Sequence, residues 1–263
     1  METSLLNKGN LLVTMELITV ILLFFGGLFS GTVNTLVGGG SIISVPLLIT
    51  LGLPTHLAIG TNRFAMVFNT GVSAIDYHKK VKYNIRLASF IAVFASIGSF
   101  LGAYIVLQTD ERILEYIIGV LMLIMGSMIF YKKKLGLEEN KANITKRNPI
   151  LIFTLSFLLG IYGGFFGAGI STMFAFLFVS LFGISFIQSA GITRFIVSIL
   201  SIIAVSIFLI NGKIEPVFGL ILAMSFVAGA KIGVKLAVKA GNIWIRRLFI
   251  LLVVASSLRL LIF

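Results

Sequence analysis

Arg63 and Arg194 offer the plainest chemistry in this sequence. Each closes a long run, 17–62 and 148–193, that contains no Asp, Glu, Lys or Arg. Only residues 64–75 separate Arg63 from Asp76, about 18 Å of helix at 1.5 Å per residue. That is too short for a membrane crossing of about 30 Å, so the segment must begin before Arg63 and carry it into the membrane zone. A guanidinium at the centre of a bilayer costs at least about 2.5–3.5 kcal/mol and is kept where it has a partner or a function. A pair of such groups could hold an anion. The competing reading is an arginine near a helix end that snorkels to the interface. Asn34, Thr35, Thr61, Asn62, Asn69, Gln188 and Thr193 are neutral hydrogen-bonding groups that could complete the site, or could serve as glue between helices.

Glycines supply the second signal. Gly31-x-x-Asn34-Thr35-x-x-Gly38-Gly39-Gly40-Ser41 interrupts one apolar run, and Tyr162-Gly163-Gly164-x-x-Gly167-x-Gly169-x-Ser171-Thr172 interrupts another. Each glycine costs a helix about 1 kcal/mol relative to Ala. At membrane depth, non-helical backbone survives only where protein or a water-lined cavity satisfies it. Both stretches are therefore expected to be helix breaks. A helix restarting at Ser41 or Ser171 would aim N–H groups and a positive dipole end at the break, where an anion could sit. The alternative is close helix packing through small residues, weighted evenly for Gly38–Gly40 and slightly favoured for Gly163–Gly169.

The elements that must position these groups follow from composition. The 263 residues are 58% hydrophobic and 11% charged, with a mean hydropathy of +1.11. A soluble domain carries about 25% charged residues, so most of this surface must face lipid. Ten apolar segments are read at roughly 11–37, 41–52, 55–78, 86–107, 112–131, 150–168, 170–183, 187–210, 214–236 and 243–263. The segments 41–52 and 170–183 are short for a crossing and could re-enter instead. The first segment contains Glu16 and no small-residue cleavage site follows it, so it is read as a permanent span.

Charge orients the segments. Lys79, Lys80, Lys82 and Arg86 form one basic loop. Lys132, Lys133, Lys134, Lys141, Lys146 and Arg147 form a second. Lys231, Lys235, Lys239, Arg246 and Arg247 form a third. These are read as cytoplasmic, whereas the loop at Asp110-Glu111 and the turn Asn211-Gly212-Lys213 are read as external. Both termini then lie on the non-cytoplasmic side. The net charge of +12 is thus an orientation signal and does not point to nucleic acid.

The sequence also repeats itself. At the offset that brings Gly38 onto Gly169, Gly52 falls on Gly183, Gly60 on Gly191, Arg63 on Arg194, Phe64 on Phe195, Ala92 on Ala223, Gly98 on Gly229 and Gly102 on Gly233. The two charge-free runs superpose at the same offset. Matching loops carry opposite charge patterns: Lys79 to Arg86 falls on Asn211-Gly212-Lys213, and Asp110-Glu111 falls on the loop from Lys239 to Arg247. The expected plan is an all-α integral membrane protein with about 8–10 transmembrane segments in two inverted-topology repeats. Repeat one covers about 11–131, a basic cytoplasmic linker 132–149 and repeat two about 150–263, all in one transmembrane domain.

Other chemistry is poorly served. The absence of Cys removes disulfides, thiolate metal sites and a cysteine nucleophile. Two separated histidines, His56 and His78, make a transition-metal site poor, and both are read as solvated interface residues. Asp76 is expected to pair with neighbouring Lys. Glu16 is an outer-interface residue or a proton carrier, and Trp244 fits an interfacial belt. No phosphate loop or nucleophile elbow occurs. The reading is not an enzyme, with no catalytic residue, cofactor or metal.

The motif Gly31-x-x-Asn34-Thr35-x-x-Gly38-Gly39-Gly40-Ser41, followed by Pro46, Gly52 and Ala58-Ile-Gly60-Thr61-Asn62, resembles the TauE/SafE sulfite-exporter family. Gly163-Gly164-x-x-Gly167-x-Gly169 is similar to its paired motif, with Ile170 interrupting a glycine run that is often longer. The resemblance extends from about residue 17 to the C-terminus. It implies a bacterial inner-membrane protein that exports sulfite, an organosulfonate or a related sulfur oxyanion, driven by an ion gradient. The site is expected to be lined by Asn34, Thr35, Gly38, Gly39, Gly40, Ser41, Thr61, Asn62, Arg63, Gly167, Gly169, Ser171, Thr193 and Arg194. The partners expected are a small anionic substrate, a coupled proton or other ion, membrane lipid and a second copy of the chain in a homodimer. A passive anion channel and a carrier of an unrelated small solute are the alternatives, and a non-transporting subunit is a third.

Overall fold

The computed structural model describes residues 2–80, 83–120, 149–182 and 186–239. It is all-α. The helices are α1 (Glu2–Val37), α2 (Ser41–Thr50), α3 (Thr55–Lys80), α4 (Ile85–Gln108), α5 (described over 111–120), α6 (Pro149–Phe165), α7 (Ile170–Phe182), α8 (Phe186–Ile210) and α9 (Pro216–Lys239). The basic linker, the last expected segment with Trp244, and the second half of 112–131 lie outside the described residues.

Among the described residues, four helices are long and apolar enough to cross a membrane: Glu16–Leu36, Ile85–Gln108, Gln188–Ile210 and Pro216–Ala237. Their outward faces are greasy. On α4, Phe90, Val93, Ile97, Phe100 and Tyr104 are exposed, whereas Ala88, Ala92, Ala95, Ser99 and Gly102 are buried. A surface helix of a soluble protein has the opposite pattern, polar side out. The chain is a multi-pass membrane protein.

Helix layout follows the sequence repeat. The starts of α4 and α9, Ile85 and Pro216, are separated by the same offset as Gly38 and Gly169. Even the caps correspond. Asn84 accepts from the Leu87 N–H before α4, and Glu215 accepts from the Phe218 N–H before α9. Each satisfies an N–H that a helix start leaves without an intrahelical partner.

Contacts between the halves give the helix directions. Gly60, near the start of α3, lies against the Lys213 carbonyl just beyond α8, and Gly191, near the start of α8, lies against Tyr83 just beyond α3. The two helices are antiparallel. Glycine seams hold the outer pairs, because a missing side chain lets backbones approach. Gly98 and Gly102 of α4 abut Phe157 and Ile161 of α6, and Gly160 and Gly164 of α6 abut Ala95 and Ser99 in return. On the other side, Gly229 and Gly233 of α9 abut Leu28, Thr32 and Thr35 of α1. Both seams run parallel.

The sixth expected segment, 150–168, is shorter than its apolar run: α6 stops at Phe165. Gly167 and Gly169 have φ +69° and +71°, backbone that an L side chain adopts only at a cost of about 1–2 kcal/mol. The packing reading of Gly163–Gly169 therefore holds for Gly164 and gives way to a break at Gly167–Gly169. Gly38, with φ +78°, makes the matching break between α1 and α2.

Candidate anion site

The two breaks meet. The Gly169 N–H donates to the Gly38 carbonyl at 2.8 Å, and a side chain at Gly38 would strike Ser171. Two segments more than a hundred residues apart thus share one hydrogen bond at the junction of the halves.

Both arginines arrive here from antiparallel helices and both are buried, Arg63 at 0% and Arg194 at 2% exposure. Neither has a carboxylate within salt-bridge distance among the described residues, where the ion pair found is His56–Glu111. Each reaches across to the other half. Arg63 on α3 donates Nη2 to the carbonyl of Gly163 in the last turn of α6. Arg194 on α8 donates Nη2 to the carbonyls of Asn34 and Thr35 in the last turn of α1, at 3.0 Å for Thr35, and Nη1 to Ser171 Oγ at 3.1 Å. The last carbonyls of a helix lack intrahelical donors, and the dipole there favours a cation. The two arginines are therefore reciprocal caps, Arg63 at the end of α6 and Arg194 at the end of α1.

Their saturation differs. Among the described residues, Arg194 has one nitrogen, Nε, without a partner, whereas Arg63 has two, Nε and Nη1. Gly167 lies directly against the Arg63 guanidinium; a Cβ there would overlap Nη1, Nη2 and Cζ. Arg63 is thus a buried cation with unused N–H groups, its guanidinium packed into the space that the missing side chain of Gly167 leaves.

The polar residues around the first break are largely engaged with one another. Asn62 Nδ2 donates to Ser41 Oγ at 3.0 Å, and Ser44 Oγ donates to Asn62 Oδ1 at 2.5 Å. Asn34 Nδ2 donates to Asn69 Oδ1 at 2.7 Å, while Asn69 donates to the carbonyls of Gly31 and Phe226. Thr35 Oγ1 donates to the Gly31 carbonyl at 3.0 Å. The N–H groups of Ile42 and Ile43 bond back to Gly39 and Gly40, so the start of α2 is partly satisfied by its own break. A Cβ on Gly40 would meet Asn34 Cβ at 2.5 Å. Asn34 Oδ1 and Thr193 Oγ1 are buried without a partner.

Of the residues expected at the site, the structure brings Asn34, Thr35, Gly38, Gly169, Ser171 and Arg194 together directly, and Arg63 with Gly167. Ser41 and Asn62 pair with each other beside Gly40. Thr61 is engaged elsewhere, because its Oγ1 accepts the Glu215 N–H at 2.9 Å and ties α3 to the start of α9. Asn69, one of the amides expected to be able to complete the site, belongs to the network, and so do Ser44 and the Gly163 carbonyl, which are not among the expected lining residues. Asn69 was visible as a buried-type amide on the arginine's helix, but a backbone acceptor such as Gly163 leaves no side-chain signal.

His56 departs from its reading as a solvated interface residue. It is nearly buried, with Nε2 3.0 Å from both the Val106 and Thr109 carbonyls and Nδ1 3.1 Å from Glu111. Its partners lie about fifty residues away in the chain, beyond any local signal.

The family model described as Sulfite exporter TauE/SafE matches residues 23–260, which includes both breaks and both arginines. The chain belongs to the TauE/SafE family. Relatives agree with that placement. A probable membrane transporter protein of Haemophilus influenzae is 27% identical over 233 residues, covering 88% of this chain and 90% of the relative. The probable membrane transporter protein ORF9 of a Sinorhizobium species is 26% identical, covering 91% of each. The probable membrane transporter protein YfcA of Escherichia coli K12 is 23% identical, covering 91% of this chain and 88% of its own length. No solved structure matches this TauE/SafE chain. Membership of the family supports a membrane transporter of a small solute and a non-enzymatic role.

Proposed function

We propose that this chain is a secondary transporter that exports a small anion, with sulfite or an organosulfonate as the substrate class, and that Arg63 is the group that binds it. One observation carries the reading: a fully buried guanidinium with, among the described residues, no carboxylate partner and two unpartnered nitrogens. Burying an uncompensated charge is costly, and an anionic ligand would offset that cost when bound. Arg194, Ser171, Asn34 and Thr35 hold the facing break and would form the opposite wall. The sulfur preference comes from the family description, not from geometry.

The mechanism is alternating access between two inverted repeats in one transmembrane unit. Antiparallel α3 and α8, the parallel seams α1–α9 and α4–α6, and the alternating loop charges all support inversion. On that reading α2 and α7 are re-entrant arms and both termini lie outside the cytoplasm, in an inner-membrane protein that could pair as a homodimer. Anion bound at Arg63 would compete with the Gly163 carbonyl for the guanidinium, loosening the cap that joins α3 to α6.

Thermal stability of the purified protein against sulfite, thiosulfate, sulfate, sulfoacetate, taurine and fluoride tests this. A ligand selective for the folded state adds about 2.7 kcal/mol at 100 times Kd. One anion is expected to stabilise the wild type and to leave Arg63→Met unmoved. An equal shift in both proteins, or none with any anion, would overturn the assignment.

A further inference from the structure

We infer that His56 and Glu111 form a single-proton site that latches the start of α3 to the turn between α4 and α5. Nε2 of His56 faces two carbonyl oxygens, of Val106 and Thr109, each at 3.0 Å. Carbonyls only accept, and two of them face Nε2 against one half-exposed carboxylate at Nδ1, so on this inference the neutral ring keeps its proton on Nε2. Nδ1 faces Glu111 Oε1 at 3.1 Å. With Nε2 protonated, a neutral ring would point its Nδ1 lone pair at a carboxylate oxygen, which repels it. The observed contact therefore needs one further proton, on Nδ1 or on Glu111. Removing that proton turns the contact from attraction into repulsion.

The setting fits a proton that enters and leaves. The His56 side chain is 11% exposed and Glu111 is 50% exposed, so one partner is sheltered and the other open. The charged groups beside them all lie on the turn and α5. Asp110 caps the Arg112 N–H, and Glu115 accepts from Thr55 Oγ1 at 2.8 Å. No charged residue occurs in the last turn of α4. The loop between α8 and α9 brings Lys213 and Glu215 to the next turn of α3, where they meet Gly60 and Thr61 through backbone atoms.

The latch bears on Arg63 through the helix. His56 and Arg63 are seven residues apart on α3, two turns and about 10.5 Å along one face. Release of the latch frees the start of the helix that carries the anion-binding guanidinium. That the proton is the coupling ion of transport rests on the anion-carrier reading; the site itself does not.

The histidine count makes the test clean, since the chain has two. In His78→Gln protein labelled with nitrogen-15 histidine, the ring of His56 is followed across about pH 5 to 8, where imidazoles titrate. The expected result is that Nε2 keeps its proton throughout and Nδ1 loses one in a single step. The chain also lacks Cys, so Leu53→Cys in the turn before α3 reports opening by maleimide labelling. Its rate is divided by that of Asn211→Cys on the exposed α8–α9 turn, which removes the thiol's own pH dependence. The ratio is expected to rise about tenfold on deprotonation, one decade in a two-state equilibrium. Adding Glu111→Gln should hold the ratio low at both ends of the range, because the amide N–H can donate to the bare Nδ1. Titration at Nε2, a ratio that does not change with pH, or a pH-dependent ratio surviving in Glu111→Gln would each overturn the proposal. If Glu111→Gln fails to fold, the spectrum of the Glu111-containing protein still decides. No arm uses an anion, so a failure here and a failure of the anion site are separate results.

Discussion

Arg63 and Arg194 occupy matching positions in two halves of one fold, yet they are bonded differently. Each crosses to the opposite half and caps the end of its broken helix. Arg194 does so with two carbonyls and the Ser171 hydroxyl. Arg63 does so with one carbonyl and keeps two nitrogens unpaired. The repeat fixes where a buried cation stands, and the partners supplied by the other half decide what it can do. Ser171 falls on Gly40 at the repeat offset, and Gly167, beside Arg63, gives the guanidinium room that a side chain would take. Among the described residues, the two arginines at matching sequence positions thus differ in how far their nitrogens are paired, and the proposed anion site rests on that difference.

The largest expected effect tests that division directly. Arg194→Met removes the charged donor from the Asn34 and Thr35 carbonyls, which keep the Gly38 N–H and a 3.5 Å contact with the Tyr77 hydroxyl, and a hydrogen bond to a charged group is worth about 1.5–3 kcal/mol. A destabilisation of about 3 kcal/mol is expected by thermal or denaturant unfolding in detergent. Arg63→Met strands one carbonyl but also removes an uncompensated charge, and replacing a buried charge by an apolar side chain is often neutral or stabilising. Its stability should change by less than about 1 kcal/mol, while anion binding and transport are lost. Equal destabilisation by the two substitutions would collapse the comparison.

Much of the frame is legible in the residues alone. Apolar runs place the helices because lipid selects for them, and the repeat offset places the starts of α4 and α9. Gly38 and Gly169 mark breaks because a helix tolerates such glycine clusters poorly. The division of labour is not legible there. Arg63 and Arg194 look alike in sequence, since their partners are backbone carbonyls of Gly163, Asn34 and Thr35, which every residue possesses. Thr61 looks like a lining residue and instead holds the Glu215 backbone. His56 reads as solvated because its three partners come from the far end of α4 and from α5. In each case the missing information is which remote backbone a side chain meets, and periodicity does not encode that.

Two left-handed glycines sharpen the comparison at intermediate size. Gly212 has φ +63° with nothing within 4 Å of an added Cβ, whereas Gly167 has φ +69° and the Arg63 guanidinium in that place. Gly212→Ala should cost only the backbone strain, about 1–2 kcal/mol. Gly167→Ala adds displacement of Arg63, so its distinguishing result is a weakened or abolished anion-induced stability shift beyond a similar backbone cost. If anion binding survives Gly167→Ala unchanged, the guanidinium face beneath Gly167 is not where the ligand sits.

The smallest effects concern the matched caps at the ends of the halves. Asn84→Ala and Glu215→Ala each remove a side-chain acceptor from the first turn of α4 and α9, a loss of about 1 kcal/mol for a typical cap. Thermal unfolding should give similar costs for both. Anion-induced shifts should match the wild type, because neither side chain reaches Arg63 or the breaks in any hydrogen bond found. Glu215 has one tie that Asn84 lacks: its N–H donates to Thr61 Oγ1, two residues before Arg63 on α3. Thr61→Val removes that acceptor without touching the cap and separates the two roles. Normal anion binding in Thr61→Val would confine the asymmetry of the halves to the central junction. A binding defect there would extend it along α3 to the loop before α9, and Arg63 would then depend on a support that Arg194, with Ile192 at the matching position, does without.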